Sequence, residues 1–205
     1  MTYTEDFKCI LAKQDNVVNA NLFILRNSNP KKIKVFPEEV SSVLLEKYFE
    51  TLSVTTDESE FVDFIPDTVE KNTLQVINTE VLDLWPAMVT AKDRLQNVNR
   101  AEITVEDYNC SGNTIMMDIE FDNGEHVYFL TVYRNVAAWY RNNICFTKKE
   151  TGKFHQQSGN VLALTPWVDA VIFDKKCYII NEVNFNRIFK LSLIHISEPT
   201  RLLSI

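Results

Sequence analysis

The stretch TIMMDIEFDNGEHVYFLTVY, residues 114–133, constrains this chain more than any other. Two runs of β-branched, aromatic and long apolar residues flank Asp122, Asn123 and Gly124. A glycine beside Asn or Asp supplies the positive backbone angles of a tight hairpin turn, and runs of this composition on either side of it read as strands. An antiparallel pair is therefore expected here, and the remaining residues must be arranged around it.

A strand-like period of two holds for most of the chain after Arg100. AEITV, NICFTKK, KFHQQ, NVLAL, DAVIFD and CYII are short apolar runs separated by turn residues, with turns at Glu150–Gly152 and at Asp174, Lys175 and Lys176. NEVNFNRIF then opens a helix capped by Asn181 and carrying Val183, Phe185, Ile188 and Phe189. The first hundred residues hold most of the helical signals. TYTEDFKCILAK places Phe7, Ile10 and Leu11 at helical spacing after a cap at Thr4, and PEEVSSVLLEKYFETL is the clearest helix. There Pro37 suits the first helical position, Glu38 and Glu39 suit its positive end, and Val40, Val43, Leu44, Tyr48 and Leu52 share one face. TEVLDLWPAM reads as helical, with Pro86 either kinking that helix or beginning another, and AKDRLQNVNR ends the layer. ANLFILR and KIKVF, joined through NSNPKK, predict a hairpin, and FVDFI predicts a short strand closed by Pro66. The expected class is α+β: one domain, helices mainly in the first half and an antiparallel sheet in the second.

The chain has 205 residues, 45% of them hydrophobic, with 13 Phe, which suits a folded core rather than a disordered chain. Its final stretch, LSLIHISEPTRLLSI, fits neither a helix nor a strand, and Pro199 interrupts it. Leu191 to Arg201 matches, letter for letter, the translation of a transposase-based sequencing adapter; a genuine disordered tail is the other reading. The expectation is that residues 1–190 form a C-terminally incomplete domain, that 191–205 are an adapter translation making few long-range contacts, and that the natural chain runs on past Lys190. No apolar run is long enough to span a bilayer, and MTYTEDFKCI is not a signal peptide, so a cytoplasmic location is expected.

Recognisable catalytic signatures do not occur. HExxH, GxSxG and P-loop motifs are missing, and four glycines cannot build a glycine-rich phosphate cradle. Cys9, Cys110, Cys145 and Cys177 lie far apart with no CxxC spacing, which argues against zinc; Cys9, Cys145 and Cys177 sit among apolar residues as expected core thiols. His126 is expected to face solvent or a cross-strand neighbour, and His155 a surface. A metal-dependent nuclease would need Asp169, Asp174 or Glu182 to converge with another acid, but Asp174 reads better as a turn residue. No metal, no cofactor and no catalytic residue is assigned, and a non-enzymatic role is favoured.

Charge points instead to a partner. Residues 1–133 hold 11 Lys and Arg against 23 Asp and Glu, a balance of −12, whereas residues 134–190 hold 9 against 4, a balance of +5. Such asymmetry directs the basic part toward a polyanion. YRNVAAWYRNN sets Arg134 and Arg141 beside Tyr133, Trp139 and Tyr140, and FTKKETGKFH sets Lys148, Lys149 and Lys153 around Phe146 and Phe154. Cations engage phosphates while exposed aromatics stack on bases, so Arg134, Arg141, Lys148, Lys149 and Lys153 are the expected DNA-contacting residues. The alternative is that the aromatics are core and the cations solvate strand edges. Adjacent lysines point to opposite faces of a strand, so Lys148 and Lys149 cannot both join one patch. Arg141 ranks first, because its planar fork can grip phosphate bidentately.

FLTVYRNVAAWYRNNICFTKKETGKF followed by LALTPWVDAVIFDKKCYIINEVNFNRIF resembles the Kiwa protein KwaB-like family of bacterial anti-phage proteins. LFILR before KVFP, and DFIPDTVEKNTLQVI, match it as well, so the resemblance covers most of residues 19–190. Its most diagnostic part is the D-x-x-I-x-D hairpin, DAVIFD, leading to NFNRIF. It implies a cytoplasmic, DNA-binding defence effector that self-associates. Such an effector works with a membrane-spanning partner, which could recruit it to the inner membrane, to block phage replication or transcription. A metal-dependent nuclease and an adaptor that binds only the membrane partner are the competing classes. The family supplies no motif that assigns DNA contacts residue by residue.

Overall fold

The computed structural model describes residues 2–26, 29–36, 38–65, 73–95, 113–133, 146–148, 154–156 and 164–189. In chain order the elements are α1 (Tyr3–Ala12), β1 (Val17–Arg26), β2 (Asn29–Val35), α2 (Glu38–Thr56), β3 (Glu60–Asp63), β4 (Thr73–Asn78), α3 (Trp85–Leu95), β5 (Asn113–Phe121), β6 (His126–Val132), β7 (Phe146–Lys148), β8 (Phe154–Gln156), β9 (Ala170–Phe173), β10 (Lys176–Ile179) and α4 (Glu182–Phe189). Short 3-10 turns occupy Gln14–Asn16 and Thr79–Val81.

Helix starts follow side-chain chemistry. Thr2, two residues before the expected cap, begins α1: its hydroxyl accepts from the Glu5 N–H and the Glu5 carboxylate accepts from the Thr2 N–H, a reciprocal capping box. Thr4 has another task, since its hydroxyl accepts from the Phe61 N–H at 3.0 Å and ties α1 to β3. Helix α3 begins at Trp85 with Pro86 in its first turn, where a missing N–H costs nothing, so Pro86 starts a helix instead of kinking one. Its 11 residues carry on into the tract expected to end the layer. At α4 the Asn181 side chain accepts from the Asn184 N–H at 3.0 Å, the cap expected from sequence.

Eight strands form one sheet in the order β2-β1-β5-β6-β9-β10-β4-β3, antiparallel except for β3 beside β4. The class is α+β, with three of the four described helices in the first half. The expected hairpins β1–β2, β5–β6 and β9–β10 are all present. The sheet also recruits four strands from the first 80 residues, two at each edge. One reason is length: the ten residues of β1 pair along β5 from Val17↔Phe121 to Arg26↔Asn113. β4, which the sequence reading passed over, is held by β10 through Cys177↔Ile77 and its neighbours.

Alternation along each strand splits the core into two layers. One face carries Leu22, Ile24, Ile115, Met117, Ile119, Phe129, Val171 and Tyr178, covered by Phe7 and Ile10 of α1 and Leu44, Tyr48, Phe49 and Leu52 of α2. The other carries Phe23, Leu25, Met116, Leu130, Ile172 and Cys177, covered by Met88 of α3 and Phe185, Ile188 and Phe189 of α4. Fully burying one such large side chain contributes about 1.5–3 kcal/mol, so covering both faces fixes the register of every central strand. Cys9 lies on the other side of α1 and is exposed, so it is no core thiol; Cys177 is buried as expected, and burial pushes its thiol pKa up.

Turn chemistry agrees with the strand pairing. Gly124 has φ +79° with open space around it, so backbone angle alone explains glycine there. Asp174 and Lys175 both have positive φ, 44° and 61°, which makes the β9–β10 connection a two-residue turn of the kind that matches strand twist.

Candidate nucleic-acid interface

Of the five expected DNA-contacting residues, Lys148 lies within the described residues, as the last residue of β7; Arg134, Arg141, Lys149 and Lys153 lie outside them. β7 pairs antiparallel with β8 through Phe146↔Gln156, Thr147↔His155 and Lys148↔Phe154, as a ribbon apart from the main sheet. The strand expected at AEITV, residues 101–105, and the tail 191–205 also fall outside the described residues, as do Cys110 and Cys145.

In sequence the basic segment lies between Tyr133, which follows β6, and Leu164, which precedes β9, and β6 and β9 are paired neighbours. Asp169 stitches this junction. Its carboxylate accepts from the Val132 N–H at 2.7 Å and from Asn184 Nδ2 at 2.8 Å, while its carbonyl accepts from the N–H groups of Ile180 and Asn181. Its own N–H donates to the Leu130 carbonyl at 2.8 Å. Thr131 Oγ1 donates to the Trp167 carbonyl at 2.8 Å, and the Trp167 N–H donates to Thr165 Oγ1 at 3.2 Å.

These bonds leave a pocket of about 510 Å3 whose lining includes Thr55, Thr131, Thr165, Trp167, Asn181 and Asn184. Its lining combines hydroxyls, side-chain amides and one indole that is 61% exposed. The sequence marks Trp139 as a stacking residue but not Trp167, which lies in the irregular stretch TPWVD before β9.

The three acids weighed for a metal do not converge. Asp169 sits just before β9 and Asp174 just after it, about 16 Å apart by strand rise. Asp174 is an exposed turn residue, as expected, and Glu182 lies in the first turn of α4. Among the described residues no three His, Cys, Asp or Glu side chains are grouped to hold a metal ion.

A second polar cluster lies on the α3 side of the sheet. Lys92 Nζ is 2.9 Å from Asp118 Oδ2, both residues are buried, and His126 Nδ1 is 2.8 Å from Asp118 Oδ1. Lys92 Nζ also lies 5.2 Å from the Tyr128 ring centre. Burial alone would pull the Lys92 ammonium down, but the Asp118 carboxylate outweighs it and holds Lys92 above the ordinary lysine value. His126 thus meets a cross-strand neighbour, as expected. The cluster anchors α3 on the sheet.

Charge pairing narrows the basic set. Lys176 is committed to Asp6 at 2.7 Å, and Arg187 Nη1 donates to Asn184 Oδ1 at 3.3 Å. No described helix is long and apolar enough to cross a membrane. Compared with known proteins, the chain matches no family model, no curated protein and no solved structure.

Proposed function

We propose that the chain is a DNA-binding effector of an anti-phage defence system of the KwaB-like kind, which self-associates and works from the cytoplasmic side with a membrane-spanning partner to block phage replication or transcription. The observation that carries this reading is the charge partition: −12 over residues 1–133 and +5 over 134–190. It is joined by the order of family-like segments along residues 19–190. Neutralised phosphates release counterions, and a cation-rich segment is what that exchange requires. Lys176 is paired with Asp6, and the densest run of cations is the stretch from Arg134 to Lys153, where five Lys and Arg stand in sequence against one acid, Glu150.

The nuclease reading has less support, because the Asp169 carboxylate is spent on Val132 and Asn184 and stands a strand's length from Asp174. The adaptor reading predicts no nucleic-acid affinity at all. The test is duplex-DNA binding by the full chain across a salt series, for wild type and for Arg141→Ala with Lys153→Ala. The variant should bind more weakly, with a salt slope shallower by roughly two phosphate contacts and an unchanged melting temperature. Equal affinity and slope would move the contacts elsewhere; absence of any binding would favour the adaptor.

A further inference from the structure

The pocket at the β6–β9 junction has three properties that together define a ligand. Its volume of about 510 Å3 lies in the range of small-molecule sites. Among the described residues its lining includes the hydroxyls of Thr55 and Thr131, which donate to the Thr51 and Trp167 carbonyls and so turn acceptor lone pairs to the pocket, the Thr165 hydroxyl and the Asn181 side-chain amide as donors, and no Lys or Arg. Trp167 contributes an indole left 61% exposed, although its backbone is clamped on both sides by Thr131 and Thr165.

An exposed aromatic face on a backbone held at both its N–H and its carbonyl, beside neutral groups of both hydrogen-bonding senses, suits a flat, polar, uncharged ring. The carboxylate of Asp169 does not change this, since both its oxygens already accept hydrogen bonds. Among the described lining residues there is no cation to hold a phosphate. The five cations of Arg134–Lys153 lie in sequence between Tyr133 and Leu164, which flank the junction that forms the pocket.

We infer that this pocket takes a nucleobase, stacked on Trp167 and read by the Thr and Asn side chains, with the base coming either from an unpaired position in DNA or from a free nucleoside. The inference deepens the DNA-binding reading and rests on it for the first source only. Base stacking on one aromatic side chain accounts for about tenfold in affinity.

The experiment compares the full chain, Trp167→Ala and Trp167→Phe against four probes: a perfect duplex, the same duplex with one bulged base, the same duplex with an abasic residue at the bulge, and free thymidine or adenosine. Trp167 lies outside both core layers, so its removal should leave the melting temperature in place. The bulged duplex should bind about tenfold tighter than the perfect or abasic one, Trp167→Ala should erase that difference while keeping duplex affinity, and Trp167→Phe should restore most of it. Duplex binding with no preference for the bulged base, and no nucleoside binding, overturns the pocket assignment and leaves the DNA reading intact. Failure of every DNA probe alongside nucleoside binding that needs Trp167 sustains the pocket and sinks the DNA reading. Failure of all four sinks both.

Discussion

Single side chains set the sharpest tests of this fold. The Tyr178 hydroxyl is buried and has no hydrogen-bond partner among the described residues, while its ring packs against Phe7 and Phe61 at 5.1 and 5.2 Å. An orphaned buried hydroxyl costs about 1–3 kcal/mol, so Tyr178→Phe should raise the melting temperature and add about 1 kcal/mol in urea denaturation. Lys92 behaves in the opposite way. Removing it strands a buried carboxylate, and Lys92→Met should cost about 3–5 kcal/mol, most of which Lys92→Met with Asp118→Leu should recover. The sign of its titration follows from the raised pKa: the stabilisation is complete below the unfolded value of 10.5 and fades only as pH rises through the higher folded value. Stability should therefore show no loss from this pair between about pH 6 and 9, and such a loss in a pH series would contradict the assignment. Neither residue announced itself in the sequence. A lysine in AKDRL looks like a solvated helix residue until β5 supplies Asp118 from 26 positions away.

Secondary-structure elements were legible where local chemistry decides, and obscure where burial does. The turns at Asn123–Gly124 and Asp174–Lys175, the run of apolar residues along α2 and the Asn181 cap are all local signals, and each marks an element that is present. β4, TLQVIN, has no clean alternation because side chains on both of its faces are partly covered, and its partner β10 lies 100 residues downstream. The pocket was equally hidden, since Thr55, Thr131, Trp167 and Asn181 meet only after the sheet closes. What holds that meeting place is Asp169, which joins β6, β9 and the start of α4. Asp169→Ala should therefore cost at least about 3 kcal/mol by leaving the Val132 N–H and the Asn184 amide without their charged acceptor. In hydrogen exchange, the lost protection should centre on Val132 and on the first turn of α4. Uniform loss across the molecule would show that the stitch is not local.

For the whole molecule, the strand order β2-β1-β5-β6-β9-β10-β4-β3 dictates a ranking of amide protection. β5, β6 and β9, paired on both sides and covered on both faces, should exchange slowest, and the edge strand β2 fastest; equal rates would mean that the layers do not close as one unit. The same order reverses the sequence in which a ribosome delivers the strands. β1–β2 and β3–β4 emerge first, yet they occupy opposite borders of the finished sheet, and the strands that bridge them span residues 113–179. Until β9 and β10 leave the exit tunnel, the nascent chain carries two unfinished strand pairs with open hydrogen-bonding edges and no strands to join those edges into one sheet. Ribosomes arrested near codon 165 should thus hold a species that chaperones bind and proteases cut, whereas arrest some 30 codons beyond residue 189, with α4 clear of the tunnel, should yield a resistant one.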